Sequence, residues 1–385
     1  MSLIPFNKPF LTGNETEYIR RAVAGGKISG DGEFTQKCHF FFEQRYGFKK
    51  VLLTTSGTDA LEMAALLLNI QHGDEVIVPC YSFVSSANAF VLRGAKIVFA
   101  DSCADEPNID VKQIETLITP KTKAIVVVHY GGVACDMDAV MQMAEKHNLF
   151  VVEDAAHSID SSYKGKYLGG IGHLGAFSFH ETKNVIAGEG GMLVINDERF
   201  FERAEIIREK GTNRSKFFRG EIDKYGWVDI GSSFLPSDII AAFLYAQLEN
   251  LDKIQTRRKE IWNSYFSGLK QLEAEGKVHL PFIPDYATNN AHLFYLVCKT
   301  PTDRTGLIAH LRKKNILAVF HYLQLHKSEF YKPFKDKREF PNTDKYADCL
   351  VRLPFYYELT AEEQQHVIDE IKEYYRGQPT PPPTP

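Results

Sequence analysis

From about Val51 onward, short apolar runs alternate with longer stretches in which apolar residues recur every three or four positions. Compact apolar runs between polar turns predict buried strands, and the longer period predicts amphipathic helices, so the alternation implies βαβ units around a mainly parallel sheet. VLLTT (51–55) leads into a helix over DALEMAALLLN (59–69), EVIVP (75–79) into one over SFVSSANAFVLRG (82–94), and KIVFAD (96–101) follows as a strand. KAIVVVHY (123–130) precedes a helix over DMDAVMQMAEKHN (136–148), and the strand LFVVEDAA (149–156) ends on charge. GAFSFH (175–180) and GMLVIN (191–196) are two further strand-like pieces. A long helical pattern over 237–269 closes the expected large domain, residues 1–250, and carries the chain into a smaller α/β domain at 251–376. That domain contains the patterns at 292–300, 306–316 and 361–375. The proline-rich tail GQPTPPPTP (377–385) is expected to be disordered, because proline lacks the N–H that helices and sheets use.

Composition narrows the function. The chain has 385 residues, 44% hydrophobic and 24% charged, enough for one large core and a second unit. A formal net charge of −4 supplies no basic stripe for nucleic acid, so the expected partner is a small solute. The six cysteines are scattered without zinc-ligand spacing and read as reduced thiols. His173 and His180 share no helical face, so no metal site is expected. No apolar run approaches the ~20 residues of a membrane span, and the opening MSLIPFNKPFLTG lacks a signal-like pattern, so a soluble cytoplasmic protein is expected.

The candidate chemistry centres on SFHETKN (178–184), where Lys183 lies between an apolar run and the glycine cluster AGEGG (187–191). Lysine is costly to bury, which marks the position. Glu153 and Asp154 sit at the end of a predicted strand, the edge where open α/β sheets bind ligands; the same carboxylates could instead cap the turn that follows. A lysine amine and a carboxylate facing one pocket suit pyridoxal 5′-phosphate (PLP), whose aldehyde bonds to an amine and whose ring nitrogen needs an anionic partner. Ser56, Gly57 and Thr58, between a strand and a helix start, could cradle its phosphate; alternatively they are an ordinary helix cap.

Ser56-Gly57-Thr58, YSFVS (81–85), EDAAH (153–157) and SFHETKN together resemble the DegT/DnrJ/EryC1 family of PLP-dependent sugar aminotransferases. The resemblance runs from the N-terminus to at least residue 370 and implies an aspartate aminotransferase-like (type I PLP) fold. It implies that Lys183 is the covalent anchor of PLP and, once released, the proton shuttle, and that Asp154 partners the ring nitrogen. His157 would lie beside the phenolic oxygen, Phe83 would stack on the ring, and Gly57, Thr58 and Ser178 would hold the phosphate. A homodimer with shared sites also follows; many members carry Gly-x-Asn-x-Arg-Met there, where this chain has Ser233 for the asparagine and Leu235 for the arginine.

FHETKN combined with IREKGTNRS (207–215), DIGSS (229–233) and AVFHY (318–322) is similar to the branch of dTDP-4-amino-4,6-dideoxygalactose transaminases. That implies transfer of the L-glutamate amino group to C4 of dTDP-4-keto-6-deoxy-D-glucose through the pyridoxamine 5′-phosphate (PMP) form, for surface glycans such as lipopolysaccharide O-antigen. Ser29, Arg214, Arg219, His321 and Tyr322 are the candidate sugar contacts, the arginines for the diphosphate; the charge run 208–227 could equally be a solvated face, and His321 a core residue. The alternatives are a 3-ketosugar aminotransferase, a dehydratase, against which Lys183 stands because dehydratases of the family carry histidine there, and a non-catalytic nucleotide-binding or regulatory protein.

Overall fold

The structure, a computed structural model, describes residues 2–334 and 336–376, so the expected disordered tail lies outside the described residues. Two helices that the hydrophobic runs did not reveal, α1 (Glu15–Ala24) and α2 (Glu33–Tyr46), come first. The alternation then appears as β1 (Val51–Thr54), α3 (Gly57–Leu67), β2 (Glu75–Pro79), α4 (Ser85–Val91), β3 (Lys96–Ala100), α5 (Val111–Leu117), β4 (Thr122–Val128), α6 (Met137–His147) and β5 (Phe150–Asp154). A hairpin of β6 (Ser162–Tyr163) and β7 (Lys166–Tyr167) precedes β8 (Leu174–Ser178) and β9 (Gly191–Ile195). After α7 (Phe201–Arg208) and α8 (Arg214–Phe218), the expected single helix over 237–269 proves to be two, α9 (Asp238–Leu248) and α10 (Leu251–Ala274). The break falls at Asn250, whose side-chain amide donates to the Ala246 carbonyl at 3.0 Å and so takes an acceptor that a continuing helix would use.

The main sheet has the order β1-β9-β8-β5-β4-β2-β3. Pairing is parallel from β8 to β3, while β9 runs antiparallel to both β1 and β8. Residues 179–190 therefore form a hairpin-like connection beyond the end of β8, and Lys183 sits on it. Alternate strand residues pack on opposite faces: Leu52, Leu193 and Ile195 join α3 and α4, whereas Leu53, Met192 and Val194 join Phe34, Phe42 and Leu244 from α2 and α9.

The C-terminal part is built on β10 (Val278–His279), β11 (Tyr295–Cys298) and β12 (Leu350–Arg352), an antiparallel sheet, with α11 (Pro301–Lys313), α12 (Pro341–Cys349) and α13 (Ala361–Tyr375). Helix α11 starts five residues before the expected 306 because Thr300 caps it and Pro301 occupies its first turn. Thr360 and Glu363 form a reciprocal capping box for α13. Ile4, near the N-terminus, packs fully buried in this second core and pairs its backbone with Asn315 and Leu317. Among the described residues, no helix is long and apolar enough to cross a membrane.

Candidate active site

The ends of β4, β5 and β8 and the start of α3 open onto one cavity of about 450 Å³, closed on its far side by residues of the C-terminal part. Of the residues expected from the sequence, Ser56, Gly57, Thr58 and Ser178 line it, and so do Phe83, Asp154, His157, Lys183, His321 and Tyr322.

Strand alternation separates the two adjacent carboxylates. Glu153 is wholly buried and accepts backbone N–H groups from Gly169 (2.7 Å), Ile171 (2.8 Å) and Gly172 (2.6 Å), with His129 Nε2 at 3.0 Å. Its acceptor capacity is consumed in tying the loop after β7 to the sheet, so Glu153 does not cap the turn that follows; the one capping bond to that turn comes from Asp154. Asp154 points into the cavity instead. Its Oδ2 accepts from Ser86 Oγ at 2.6 Å, Ser86 contacts Ser82 at 2.6 Å, and Oδ1 accepts the Ala156 N–H at 3.2 Å. Each carboxylate oxygen keeps a lone pair for a further donor.

The connection that carries Lys183 is held by backbone bonds: Phe179 to Gly190 (2.8 Å), Ala187 to Phe179 (2.7 Å) and Lys183 to His180 (2.9 Å). Its amine has no hydrogen-bond or ion-pair partner among the described residues. Burial lowers the amine from the usual lysine range to about 8; the Asp154 carboxylate opposes that shift and the Arg352 cation adds to it. A lysine near 8 reaches its neutral, nucleophilic form close to physiological pH.

His157 is buried and stacks on His292, ring centroids 4.2 Å apart. Burial first, and the Lys183 charge second, hold its imidazole well below the ordinary value, so it is neutral. Because Nδ1 accepts the Gly131 N–H at 3.2 Å, the ring proton lies on Nε2, which is 3.4 Å from the Tyr322 hydroxyl. His157 thus presents a neutral N–H donor. His292 Nδ1 donates to Asn184 Oδ1 at 2.8 Å, an orientation set by the Asn184 amide donating to Gln255 and Asn290.

At the opposite end, Ser56 Oγ accepts the Asp59 N–H at 3.0 Å, so it is a helix cap as the plainer reading held, yet its own proton stays free. The first-turn N–H groups of α3 form an anion-binding terminus. Thr58 Oγ1 lies 2.8 Å from Ser85 Oγ. Glycine is required here: a Cβ on Gly57 would lie 2.9 Å from Ser178 Cβ, and one on Gly191 would lie 2.2 Å from the Ser56 carbonyl oxygen. These donors, the unpartnered amine, the anchored carboxylate and the 55% exposed ring of Phe83 fit phosphate, aldehyde, ring nitrogen and ring face of PLP respectively.

Four predicted residues do not line this cavity. Ser29 and Ser233 are exposed, Ser233 pairing its backbone with Glu209. Arg214 pairs with Glu209 at 3.4 Å, and Arg219 with Glu205 (2.8 Å) and Glu221 (2.6 Å). Several lining residues were not foreseen in this role: Ser82, Ser86 behind it, His180 and Arg352. For Arg352 a signal existed, a lone charge inside the apolar run CLVRLPF.

The pattern of the DegT/DnrJ/EryC1/StrS aminotransferase family matches residues 9–372. The chain is 33% identical over 383 residues to the spore coat polysaccharide biosynthesis protein SpsC of Bacillus subtilis, covering 97% of each. It is 33% identical over 382 residues to the GDP-perosamine synthase of Escherichia coli O157:H7, covering 97% of this chain and 99% of that one. The fold superposes on the putative sugar aminotransferase Spr1654 of Streptococcus pneumoniae in its PMP form with a TM-score of 0.90 at 27% identity, covering 96% of this chain and 98% of that one. The PLP form of the same protein gives 0.89.

Proposed function

Because this chain belongs to the DegT/DnrJ/EryC1/StrS aminotransferase family and is a PLP-dependent sugar aminotransferase of type I fold, we propose that it transfers the amino group of L-glutamate to C4 of dTDP-4-keto-6-deoxy-D-glucose. The observation that carries the transaminase chemistry is the single cavity in which an unpartnered, pKa-lowered Lys183 amine and the anchored Asp154 carboxylate meet the α3 N-terminus. The choice of C4 and of dTDP rests on the resemblance of FHETKN, IREKGTNRS, DIGSS and AVFHY.

When bound, PLP carries the amino group between the two substrates and accepts the electrons of the breaking C–H bond. The chain's own groups do the rest. Lys183, neutral near pH 8, takes the proton from the donor carbon and returns it. Asp154, anchored by Ser86 and Ala156, would be the group that faces the ring nitrogen. His157 offers Nε2–H to the phenolic oxygen without adding charge. Phe83 would cover the ring face, and Ser56, Gly57, Thr58 and Ser178, which line the same cavity, would receive the phosphate. Across the two half-reactions, one C–N and one C–H bond break on the amino acid and the same pair forms on the sugar. His321 and Tyr322 face the sugar, with Ser29, Arg214 and Arg219 proposed beyond them.

We take the protein to be a cytoplasmic homodimer that shares its sites. The end of α8 and the segment after it support the dimer: Phe218 is 67% exposed and Trp227 84%, with Val228 and Ile230 also exposed, apolar surface that a second copy would cover. Ser233 of that copy is proposed to approach the phosphate.

A GDP-sugar substrate is the second reading, favoured by the relationship to a GDP-perosamine synthase. Purified enzyme given glutamate and either dTDP- or GDP-linked 4-keto-6-deoxyhexose decides between them, with NMR of the product locating the new amine. Amination at C3, or turnover of the GDP sugar alone, would displace the proposal.

A further inference from the structure

Next to the cavity lies a set of buried polar groups that the reaction does not use. Asn184, the residue after Lys183, is 5% exposed and His292 is 3% exposed; neither is part of the cavity wall. Asn184 Nδ2 faces the Asn290 carbonyl at 3.0 Å, a group that only accepts, so the amide is fixed with its nitrogen there and its Oδ1 toward His292. His292 Nδ1 therefore carries a proton, which it donates to Oδ1 at 2.8 Å. Burial first, and then His157 and Lys183, hold this imidazole well below its ordinary value, so the Nδ1 proton is its only one. His157 is neutral too, but its proton is on Nε2, because Nδ1 accepts the Gly131 N–H. Two neutral rings of opposite tautomer thus lie face to face, centroids 4.2 Å and planes 20° apart.

The main chain holds the same pair. Asn290 Nδ2 donates to the His157 carbonyl at 2.7 Å while its Oδ1 accepts the His292 N–H at 3.1 Å, so one side chain sets the spacing of both residues. The other rings near His157 lie farther off, Tyr130 at 6.0 Å and His321 at 6.1 Å. The void that His157, His292, Lys183, Asn184 and Ser178 share measures about 10 Å³, too little for any ligand larger than water. His292 therefore acts through its neighbours and not on a substrate.

A neutral imidazole held at one nitrogen by a 3.2 Å contact can turn over or move its proton, and either change puts a lone pair where a donor is needed. A second ring in face contact opposes the turn. We propose that His292 is a positioning residue for His157: clamped by Asn184 and Asn290, it fixes the plane and the tautomer in which Nε2–H meets the phenolic oxygen of PLP. The inference rests on reading this cavity as the PLP site. PLP carries its aldehyde and its phenolic oxygen on adjacent ring carbons, so the groups that serve them, Lys183 and His157, must keep a fixed relation. One network supplies it, running from Asn184, next to Lys183 in the chain, through His292 to His157.

The test has two readouts. In the cofactor-free protein, with its histidines labelled in heavy nitrogen, ring NMR reports each tautomer, with His157→Gln and His292→Phe used to assign the signals. The wild type should show His157 protonated at Nε2 and His292 at Nδ1, and His292→Ala should mix the two tautomers of His157. In the PLP-loaded protein, the pH midpoint of the yellow absorbance should rise in His292→Ala by about 0.5 to 1 pH unit, as for the loss of one neutral hydrogen bond. The sign is upward because a donor at the phenolic oxygen stabilises its anion and eases loss of the proton beside it. His292→Phe, which keeps the ring but not the N–H, should recover most of both effects. An unchanged His157 tautomer or an unchanged midpoint in His292→Ala would overturn the proposal even if its unfolding temperature falls, and so would a Phe variant as impaired as the Ala one. Should His292→Ala not fold, the wild-type spectrum decides: the stated pair of tautomers upholds the proposal and any other pair ends it. If the protein takes up no PLP, a His157 tautomer that depends on His292 still upholds the positioning role while the cofactor reading fails.

Discussion

Glu153 and Asp154 are neighbours of the same chemistry with opposite duties, and the only thing that separates them is the two-residue period of β5. Removing Glu153 strands three backbone N–H groups, two of them buried, so Glu153→Ala should cost at least about 2 kcal/mol in urea unfolding, with the cavity residues untouched. Lys183→Arg keeps charge and approximate size but cannot bond to an aldehyde or release a proton at working pH; turnover should fall by at least about a thousandfold, read in steady-state assays. The pH dependence has a definite sign. Lys183 is an ammonium below about 8 and a nucleophile above it, so capture of PLP by the cofactor-free protein should speed up as pH rises to about 8 and then level off, followed by the growth of yellow absorbance. In Arg352→Gln the loss of a neighbouring cation should move that midpoint upward. A midpoint near the ordinary lysine value in the wild type would contradict the buried setting of the amine.

Among the elements, the connection between β8 and β9 does most to build the site. Antiparallel β9 returns the chain beside β8, and only glycine permits its first residue to lie against the turn before α3. Gly191→Ala would drive a methyl group into the Ser56 carbonyl oxygen, at 2.2 Å, and should destabilise by about 1–3 kcal/mol while weakening PLP retention, since the same turn carries Ser56 and Gly57. Calorimetric unfolding and a PLP dissociation constant measure the two effects. The motif GEGG was visible in the sequence, but a parallel-sheet expectation gave no reason for β9 to run backwards. Helix boundaries also shifted where a cap decided them, Ser56 for α3 and Thr300 for α11.

For the molecule as a whole, the cavity is a joint product of two cores: the sheet edge supplies Asp154, Ser178 and Lys183, and the C-terminal part supplies His321, Tyr322 and Arg352. Asn290 ties these parts together, donating to the His157 and Ile159 carbonyls at 2.7 and 2.8 Å. The exposed strip around Trp227 predicts a further level of assembly. Sedimentation should give a dimer for the wild type and a shift toward monomer for Trp227→Asp; a wild-type monomer at micromolar concentration would refute the shared-site arrangement.

Local order was open to reading because it depends on neighbours along the chain. The apolar runs specified β1 to β5 and most of their helices, and SGT, EDAAH and FHETKN held residues that the fold brings to one cavity, Lys183 and Asp154 among them. What depends on distant residues emerged only from the folded chain. The tautomer of His157 follows from a Gly131 N–H some 26 positions away, the Arg219 pair with Glu205 from a carboxylate on a different helix, and the lack of a hydrogen bond at Arg352 Nε from everything that surrounds it. Burial and hydrogen-bond completion are properties of a three-dimensional neighbourhood, and a one-dimensional pattern does not contain them.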